Sequence, residues 1–293
     1  MEINVPAGRY VVAVSGGVDS MVLLDLLAKQ AEHANMDLVI AHFNHGIQGA
    51  AAKTAEKLVV KTARAASLEV EVGQARLGKA ASEEKARDAR YQYLIQVKHK
   101  YQARAIITAH HQDDLVETAL LNTLRGSGWR GLVAILRNPN VKRPLINVPK
   151  ADLLKYAKTH KLKWQEDITN TDEKYLRNRL RSLGLGTEDK QKILNNIEKV
   201  AKIDEELNIT IATISHKIAK NSLIDRQKFS ALPTDVANEL VIYWLREKAL
   251  AYDRQTVDRL TVHLKTASVP SRYPIKGKAF LSIGAKFAKI KTP

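Results

Sequence analysis

The chain of 293 residues contains no cysteine. This absence excludes disulfide bonds, zinc–thiolate sites, cysteine nucleophiles and persulfide carriers from its chemistry. It also excludes iron–sulfur clusters held by cysteine thiolates. Cysteine usage therefore gives no indication of the redox compartment.

Long apolar runs are also missing, because no segment of the sequence is apolar over the length that spans a bilayer. Residues Met1–Pro6 do not show the pattern of a signal peptide. From these two features we expect a cytoplasmic protein with no membrane partner.

Acidic residues are scarce relative to basic ones, with 31 against 47, which gives a net charge of +16. No acidic residue follows Asp258, whereas eight basic residues do. A polyanion is the expected partner, because each neutralised phosphate releases counterions. A basic surface that serves only solubility is the alternative. Aromatic residues make up 5% of the chain, which argues against stacked bases on a sheet as the main mode of binding.

The first half of the sequence alternates short apolar runs with helical stretches. The apolar runs are Tyr10–Val14, Leu38–His42, Leu68–Val72 and Ala105–Ala109. Repeated βα units predict an α/β fold with a doubly wound parallel sheet, and ligands beyond the carboxyl ends of its strands. Further along, Gly126–Pro149 is predicted as loop, Lys150–Lys161 as a short helix, Glu188 to about Lys220 as a long helix, and Tyr273–Ile290 as a hairpin.

The hexamer Ser15-Gly16-Gly17-Val18-Asp19-Ser20 lies between the first apolar run and the first helix. Its glycines permit a tight turn, and the helix N-terminus stabilises an anion. The hydroxyls can donate to phosphate oxygens, and Asp19 can help to hold Mg²⁺. An ordinary βα turn is the alternative. The Walker P-loop pattern does not occur, and Gly126–Gly131 fits Gly-x-Gly-x-x-Gly but follows a helix, which argues against a dinucleotide site.

Three further groups carry candidate chemistry. His42 and His45 end the second strand and could bind nucleotide phosphates, or could be surface histidines. Arg87 and Arg90 share a helix face that could clamp phosphates, or that could simply be solvated. Asp114 and Glu117 also share a helix face; they could bind a metal or ammonium cation, or belong to an ordinary capped helix start.

These motifs occur in the same order as in the tRNA(Ile)-lysidine synthetases, a family of the N-type ATP pyrophosphatases (the PP-loop superfamily), which the chain resembles over about residues 8–182. The hexamer resembles their pyrophosphatase loop. The other matches are His42-x-x-His45, Glu83–Tyr91, His110–Thr118, Leu124–Gly128, Arg143-Pro144-Leu145, Glu166–Asn170 and Tyr175–Arg181. The chain departs from the family at Gln48, where Arg is expected, and at Ala50–Ala52, where acidic residues often stand.

The resemblance implies that ATP adenylates the C2 oxygen of the wobble cytidine, position 34, of an isoleucine tRNA with a CAU anticodon. The ε-amine of L-lysine then displaces AMP and forms lysidine. Residues Ser15–Ser20 and His42 would bind ATP, and Asp19 would bind Mg²⁺. Asp19, Asp114 and Arg87 would be catalytic, and Asp114 and Glu117 would bind lysine. The tRNA would contact Arg90, Arg177, Arg181, Lys286 and Lys289.

By the same resemblance, residues 1–186 would form the catalytic domain, 187–220 a linking helix, and 221–293 a smaller, mainly helical and basic tRNA-binding domain. A homodimer is compatible with the sequence. The alternatives are another PP-loop enzyme that modifies tRNA, an amidating ligase of that superfamily, or a tRNA-binding module without activity. The cysteine count excludes thiolases that use cysteine, and an amidating ligase does not account for the basic C-terminal segment.

Overall fold

The computed structural model describes residues 1–46, 50–75, 83–138, 140–165, 184–248, 250–276 and 279–292, with only the backbone at 50, 83 and 84. The expectations for Gln48, Arg177 and Arg181 fall outside the described residues. The chain divides into two compact units, Met1–Glu198 and Lys199–Pro293. Within the described residues, no helix is both long and apolar enough to cross a membrane.

The first unit alternates strands and helices in chain order. Its elements are β1 (Gly8–Ala13), α1 (Val18–Ala31), β2 (Met36–Asn44), α2 (Ala50–Ala65), β3 (Glu69–Gln74), α3 (Glu83–Lys100), β4 (Ala105–Ile107), α4 (Gln112–Leu124), α5 (Trp129–Leu132), a 3-10 turn (Ala134–Leu136), β5 (Val141–Lys142) and α6 (Lys150–Thr159). The long helix α7 (Thr187–Ile218) begins in this unit and ends in the second.

The five strands form one parallel sheet in the order β3-β2-β1-β4-β5. The order reverses beside β1, because β2 lies on one side of it and β4 on the other. Ligands bind parallel sheets at such a switch point, beyond the carboxyl ends of the strands. The predicted doubly wound α/β fold is confirmed, and its switch point places the loops after β1 and β4 side by side.

The sheet is covered on both faces, as the near-continuous apolar strands require. On β1, Tyr10 and Val12 pack in one core cluster with Leu23 of α1 and Leu153 of α6. Val11 points to the opposite face and packs with residues of α3 such as Leu94. Each fully buried side chain of this size contributes ~1.5–3 kcal/mol of transfer free energy, which holds the strand ends in a fixed register.

The second unit combines helices with a small antiparallel sheet. After α7 come β6 (Ala219–Lys220), β7 (Leu223–Asp225), α8 (Arg226–Ser230), α9 (Thr234–Glu247), α10 (Arg254–Thr266), β8 (Ser271–Pro274), β9 (Phe280–Ile283) and β10 (Phe287–Lys291). The strand order is β6-β7-β10-β9-β8. One face of this sheet packs on α9 and α10 around Phe229, Leu240, Trp244, Leu260 and Leu281. The smaller, mainly helical C-terminal part is thus confirmed, with a sheet that is larger than the predicted hairpin.

Candidate active site

The loop after β1 is folded around the hydroxyl of Ser20. Its Oγ donates to the carbonyl of Gly17 at 2.8 Å and accepts from the Gly16 N–H at 3.2 Å. Ser15 Oγ lies 3.2 Å from Ser20 Oγ. Helix α1 then begins with Gly17 as N-cap and without a side-chain cap. The first-turn N–H groups of α1 are therefore not bound by a capping side chain, which is what an anion site at a helix N-terminus needs.

The carboxylate of Asp19 is shared between a lysine and a histidine from other elements. Lys150 Nζ, at the first residue of α6, donates to Asp19 Oδ1. His111 Nε2 lies 3.7 Å from Asp19 Oδ2 and 3.5 Å from Asp114 Oδ2, and the His111 ring is buried. The N-termini of α1, α4 and α6 thus meet at one charged cluster, which we call the Asp19 cluster: Asp19, His111, Asp114 and Lys150.

Asp113 fixes the backbone beside this cluster. Its carboxylate accepts from the backbone N–H of Lys150 at 2.9 Å and from Lys190 Nζ at 2.7 Å. Burial raises the pKa of the Asp113 carboxyl, but the bonds from Lys190 and Lys150 outweigh it and hold the pKa below its usual value. A charged Asp113 therefore joins the starts of α4, α6 and α7.

His42 is buried at the end of β2, beside the loop. Its Nδ1 is 2.8 Å from the carbonyl oxygen of Val14. Burial lowers the pKa of His42, against the opposing effects of the Val14 bond and Glu56, so the ring is neutral at pH 7. A carbonyl oxygen only accepts, so Nδ1 carries the hydrogen and Nε2 is an acceptor. This tautomer suits a hydroxyl or amino group of a nucleotide rather than a phosphate oxygen.

His110 lies at the end of β4 among three guanidiniums. Its Nδ1 is 2.7 Å from Thr108 Oγ1. Burial lowers the pKa of His110 to about 4; the charge of Asp114 opposes this shift, and those of Arg143, Arg90 and Arg87 add to it. The charges of the predicted residues Arg87, Arg90 and Asp114 thus all act on His110. Both guanidiniums also lie over the Tyr91 ring, at 5.4 Å and 5.9 Å from its centroid.

Three further residues that were predicted for the site lie outside the groups described above: Glu117, Lys286 and Lys289. Glu117 is buried on α4, one turn after Asp114. Lys286 and Lys289 belong to the second unit, just before and within β10. Their predicted roles in lysine and tRNA binding remain predictions.

Sequence reasoning missed Lys150, Lys190 and the pairing of His111. Lys150 contacts Asp19 across 131 positions and Lys190 contacts Asp113 across 77, so no local pattern could indicate either contact. A usable signal existed for His111 alone, because it stands in the matched motif at the end of a predicted strand.

Asp19 is the candidate magnesium ligand of this site. The described residues contain no group of three side chains suited to hold a metal ion. Mg²⁺ in nucleotide sites commonly uses one or two carboxylates, with phosphate oxygens and water completing the octahedron. Asp19 is such a carboxylate, in the first turn of α1 at the end of a phosphate-type loop, so the residues fit an ion that arrives with a nucleotide.

Comparison with known proteins gives three kinds of match: a family model, curated proteins and solved structures. A family model described as a PP-loop domain matches residues 2–188. Among curated proteins, a tRNA(Ile)-lysidine synthase of Clostridium acetobutylicum is 31% identical over 263 residues, which cover 82% of this chain and 57% of that protein. One of Pseudomonas aeruginosa is 40% identical over 182 residues, or 60% of this chain and 40% of that protein.

The chain spans less than two thirds of the length of such curated relatives. Among solved structures, a U34-tRNA thiolase from Methanococcus maripaludis, described with its 4Fe–4S cluster, matches with a TM-score of 0.55 at 18% identity, covering 69% of this chain and 73% of that one. This structural match concerns the fold alone.

Proposed function

We propose that this chain, which belongs to the PP-loop family, ligates lysine to C2 of the wobble cytidine of isoleucine tRNA with a CAU anticodon, at the expense of ATP. Relatives named tRNA(Ile)-lysidine synthase support this assignment. The structural observation that carries it is the Asp19 cluster. There a phosphate-type loop, two carboxylates and a lysine meet at the switch point of the sheet.

In the first half-reaction the C2 oxygen of cytidine attacks the α-phosphorus of ATP, and the bond to pyrophosphate breaks. The first-turn N–H groups of α1 and the hydroxyl of Ser15 would hold the leaving phosphates. Lys150 can move from Asp19 to a phosphate oxygen, because both partners are anionic. A magnesium ion bound with ATP would neutralise part of the phosphate charge.

Guanidiniums would assist the same step from the other side of the site. Arg87 and Arg90 stand with Arg143 around His110, where the charge on the transferring phosphoryl group would develop. His110 is neutral at pH 7 because its pKa is lowered to about 4. Its ring therefore carries no positive charge that would draw the α-phosphate away from the guanidiniums. The target cytidine lies in a single-stranded loop, so its exposure costs little.

In the second half-reaction the ε-amine of lysine attacks C2, and AMP leaves. The amine must be neutral, yet its usual pKa of ~10.4 is ~3 units above pH 7, which corresponds to ~4 kcal/mol. Asp114 and Glu117, one turn apart on α4, would bind the incoming ammonium group. A carboxylate then accepts the proton as the new C–N bond forms, which keeps the charge balanced within the site.

Other superfamily reactions fit this chain less well. A thiolase that uses persulfide or a cysteine-bound cluster needs thiolates, and this sequence has no cysteine. An amidating ligase would act on a small molecule and would have no use for the charge of +16. L-lysine and tRNA are therefore the proposed substrates, and the cytoplasm the proposed location.

Incubation of the protein with ATP, radiolabelled lysine and total tRNA tests the proposal. We expect lysine to enter tRNA only when ATP is present, with one pyrophosphate released per lysine. Replacement of lysine by a sulfur donor should give no modified tRNA. Incorporation of sulfur, or binding of tRNA without release of pyrophosphate, would contradict the assignment.

A further inference from the structure

The antiparallel sheet of the second unit has one covered face and one solvent-exposed face. Ile224, Leu281 and Ile290 point to the covered face and belong to the core with α9 and α10. Because side chains alternate along a strand, their neighbours point the other way. We call the residues Arg272, Phe280, Phe287, Lys289 and Lys291, which point away from this core, the open sheet face.

Strand register arranges the cations of this face in rows. Arg272 pairs with Ser282, which pairs with Lys289, so these three side chains form one row across β8, β9 and β10. Phe280 pairs with Lys291 in the next row. Directly paired residues stand about 4.5–5.5 Å apart at Cβ. The face therefore presents three positive charges, with an aromatic ring between two of them.

Two of the three cations of the open sheet face lie over the ring of Phe280. The guanidinium carbon of Arg272 is 3.3 Å from the centroid of the Phe280 ring, and Lys291 Nζ is 5.8 Å from it. Among the described residues, no carboxylate forms an ion pair with Arg272, Lys289 or Lys291. The described acid that faces the same side is Asp225, and it already accepts from the Lys228 N–H at the start of α8. The positive charges of this face are thus available to an anion.

Aromatic surface is concentrated on the same face. The chain has four phenylalanines, and two of them, Phe280 and Phe287, belong to it. Phe287 is 41% exposed and has Lys286 Nζ 5.5 Å from its ring centroid. A low aromatic content averaged over the chain therefore does not describe this surface. An exposed ring flanked by cations fits a ligand that offers both phosphates and flat π-faces.

We propose that the open sheet face binds unpaired nucleotides of the RNA substrate. Lys289, Lys291 and Arg272 contact phosphates, and Phe287 stacks against a base. Charge complementarity and the exposed ring together select RNA with accessible bases over a paired helix, whose bases are stacked inside. The inference rests on the proposed function in that the RNA is tRNA. It gives the tRNA contact that the resemblance implies for Lys289 a defined surface.

Binding measurements on two RNAs test the inference. The probes are a labelled 12-nucleotide uridine RNA and a transcript of isoleucine tRNA with a CAU anticodon. The charge variant is Lys289→Gln/Lys291→Gln, and its control is Lys199→Gln/Lys202→Gln, which removes the same charge from exposed positions of α7. The aromatic variant is Phe287→Ala, with Ile209→Ala, also exposed on α7, as its control. Far-UV circular dichroism and thermal melts establish that each variant folds.

We expect the charge variant to lose affinity for both RNAs and to lower the log–log salt slope for the uridine RNA by about 1.4, or ~0.7 for each lost contact. Phe287→Ala should weaken binding of the uridine RNA about fivefold, the lower end for a stacked base. The two controls should bind as the unchanged protein does. Affinity and salt slope unaltered in both test variants would overturn the inference, as would equal losses in the control variants.

The outcome is separable from that of the proposed function. The tRNA concentration that gives half-maximal lysine incorporation should rise in the open-face variants and stay the same in the controls, because the open-face residues add affinity rather than chemistry. If the unchanged protein incorporates no lysine but the variants lose RNA binding, the proposed function fails and the RNA face stands. If lysine is incorporated and the variants bind RNA normally, the RNA face fails and the proposed function stands.

Discussion

At the residue scale, the Asp19–Lys150 contact is the most specific addition that the structure makes to the sequence motifs. The lysine reaches the loop from the first residue of α6, 131 positions away. A lysine that pairs with a carboxylate is also suited to bind a phosphate of ATP, because both partners are anionic. The loop and α6 would then act together in binding ATP.

We therefore expect the Lys150→Met variant to bind ATP more weakly. A hydrogen bond to a charged group is worth ~1.5–3 kcal/mol, so KM for ATP should rise by about tenfold or more. The readout is the ATP dependence of pyrophosphate release at saturating tRNA. Lys155→Met, an exposed lysine of the same helix, serves as control and should leave KM unchanged. Equal behaviour of the two variants would remove Lys150 from the site.

Glu117 gives a second test at this scale, because it separates the two half-reactions. If it binds lysine, Glu117→Gln should raise KM for lysine about tenfold or more, the loss of a charged contact of ~1.5–3 kcal/mol. Transfer of AMP to tRNA without lysine should change far less. Glu188→Gln, an exposed glutamate of α7, is the control. Equal losses in both half-reactions would instead assign Glu117 to phosphate or metal binding.

At the scale of elements, the β1–α1 turn depends on a glycine. Gly16 has φ +93°, and a Cβ there would lie 3.0 Å from Ala55 Cβ of α2. Gly16→Ala should lower the free energy of unfolding by about 1–2 kcal/mol for the backbone alone, and it should displace the loop. Gly17, with φ −73° and a nearest neighbour at 3.6 Å, is the comparison. Urea unfolding should show a smaller loss for Gly17→Ala, and an equal loss would contradict this reading.

The sequence predicted long elements better than short ones. Apolar runs of five residues indicated β1, β2 and β4, because burial on both faces leaves a continuous apolar signal. The edge strand β3 instead alternates Glu69 and Glu71 with Val70 and Val72. By contrast, the predicted loop Gly126–Pro149 contains α5 and the edge strand β5, which has two residues and so cannot show a period. Strands β6 and β7, of two and three residues, were missed for the same reason, and the predicted hairpin became part of a five-stranded sheet.

The site was predictable only where its residues follow strands. Motif residues at the ends of β1, β2 and β4 meet because parallel strands end at one edge, so the spacing and the fold together indicated them. Lys150 and Lys190 join that edge from helices whose starts are fixed by Asp113, and such tertiary contacts leave no local pattern. The tautomer of His42 likewise depends on the Val14 carbonyl and could not be inferred from its neighbours in sequence.

At the scale of the molecule, two neutral histidines, the buried His42 and the partly buried His110, make stability depend on pH. Burial lowers the pKa of His42, and the Val14 hydrogen bond and the charge of Glu56 oppose this shift. Burial also lowers the pKa of His110 to about 4; the charge of Asp114 opposes that shift, and the charges of Arg143, Arg90 and Arg87 add to it. The unfolded chain, with histidine pKa ~6.5, then binds protons first as pH falls. The contribution of the two neutral rings to the free energy of unfolding is thus fully present above pH ~6.5. It declines below that pH, by up to ~1.4 kcal/mol per pH unit for each histidine.

Urea unfolding at pH 7 and pH 5 checks this expectation. The protein should lose stability at pH 5, and His42→Gln should lose less on acidification, because the amide keeps a donor for the Val14 carbonyl without titrating. His33→Gln, an exposed histidine, should retain the full loss. Stability that is unchanged or higher at pH 5 would contradict the assignment of neutral, buried rings.

We propose that the Asp19 cluster cleaves ATP between its α and β phosphates and leaves AMP on tRNA. The most direct test is incubation with tRNA and ATP labelled at the α-phosphate, with lysine withheld. We predict that label transfers to tRNA with release of pyrophosphate, that added lysine frees it as AMP, and that Asp19→Ala, but not Asp37→Ala, abolishes the transfer. Label recovered as ADP, or transfer that persists in Asp19→Ala, would contradict the account.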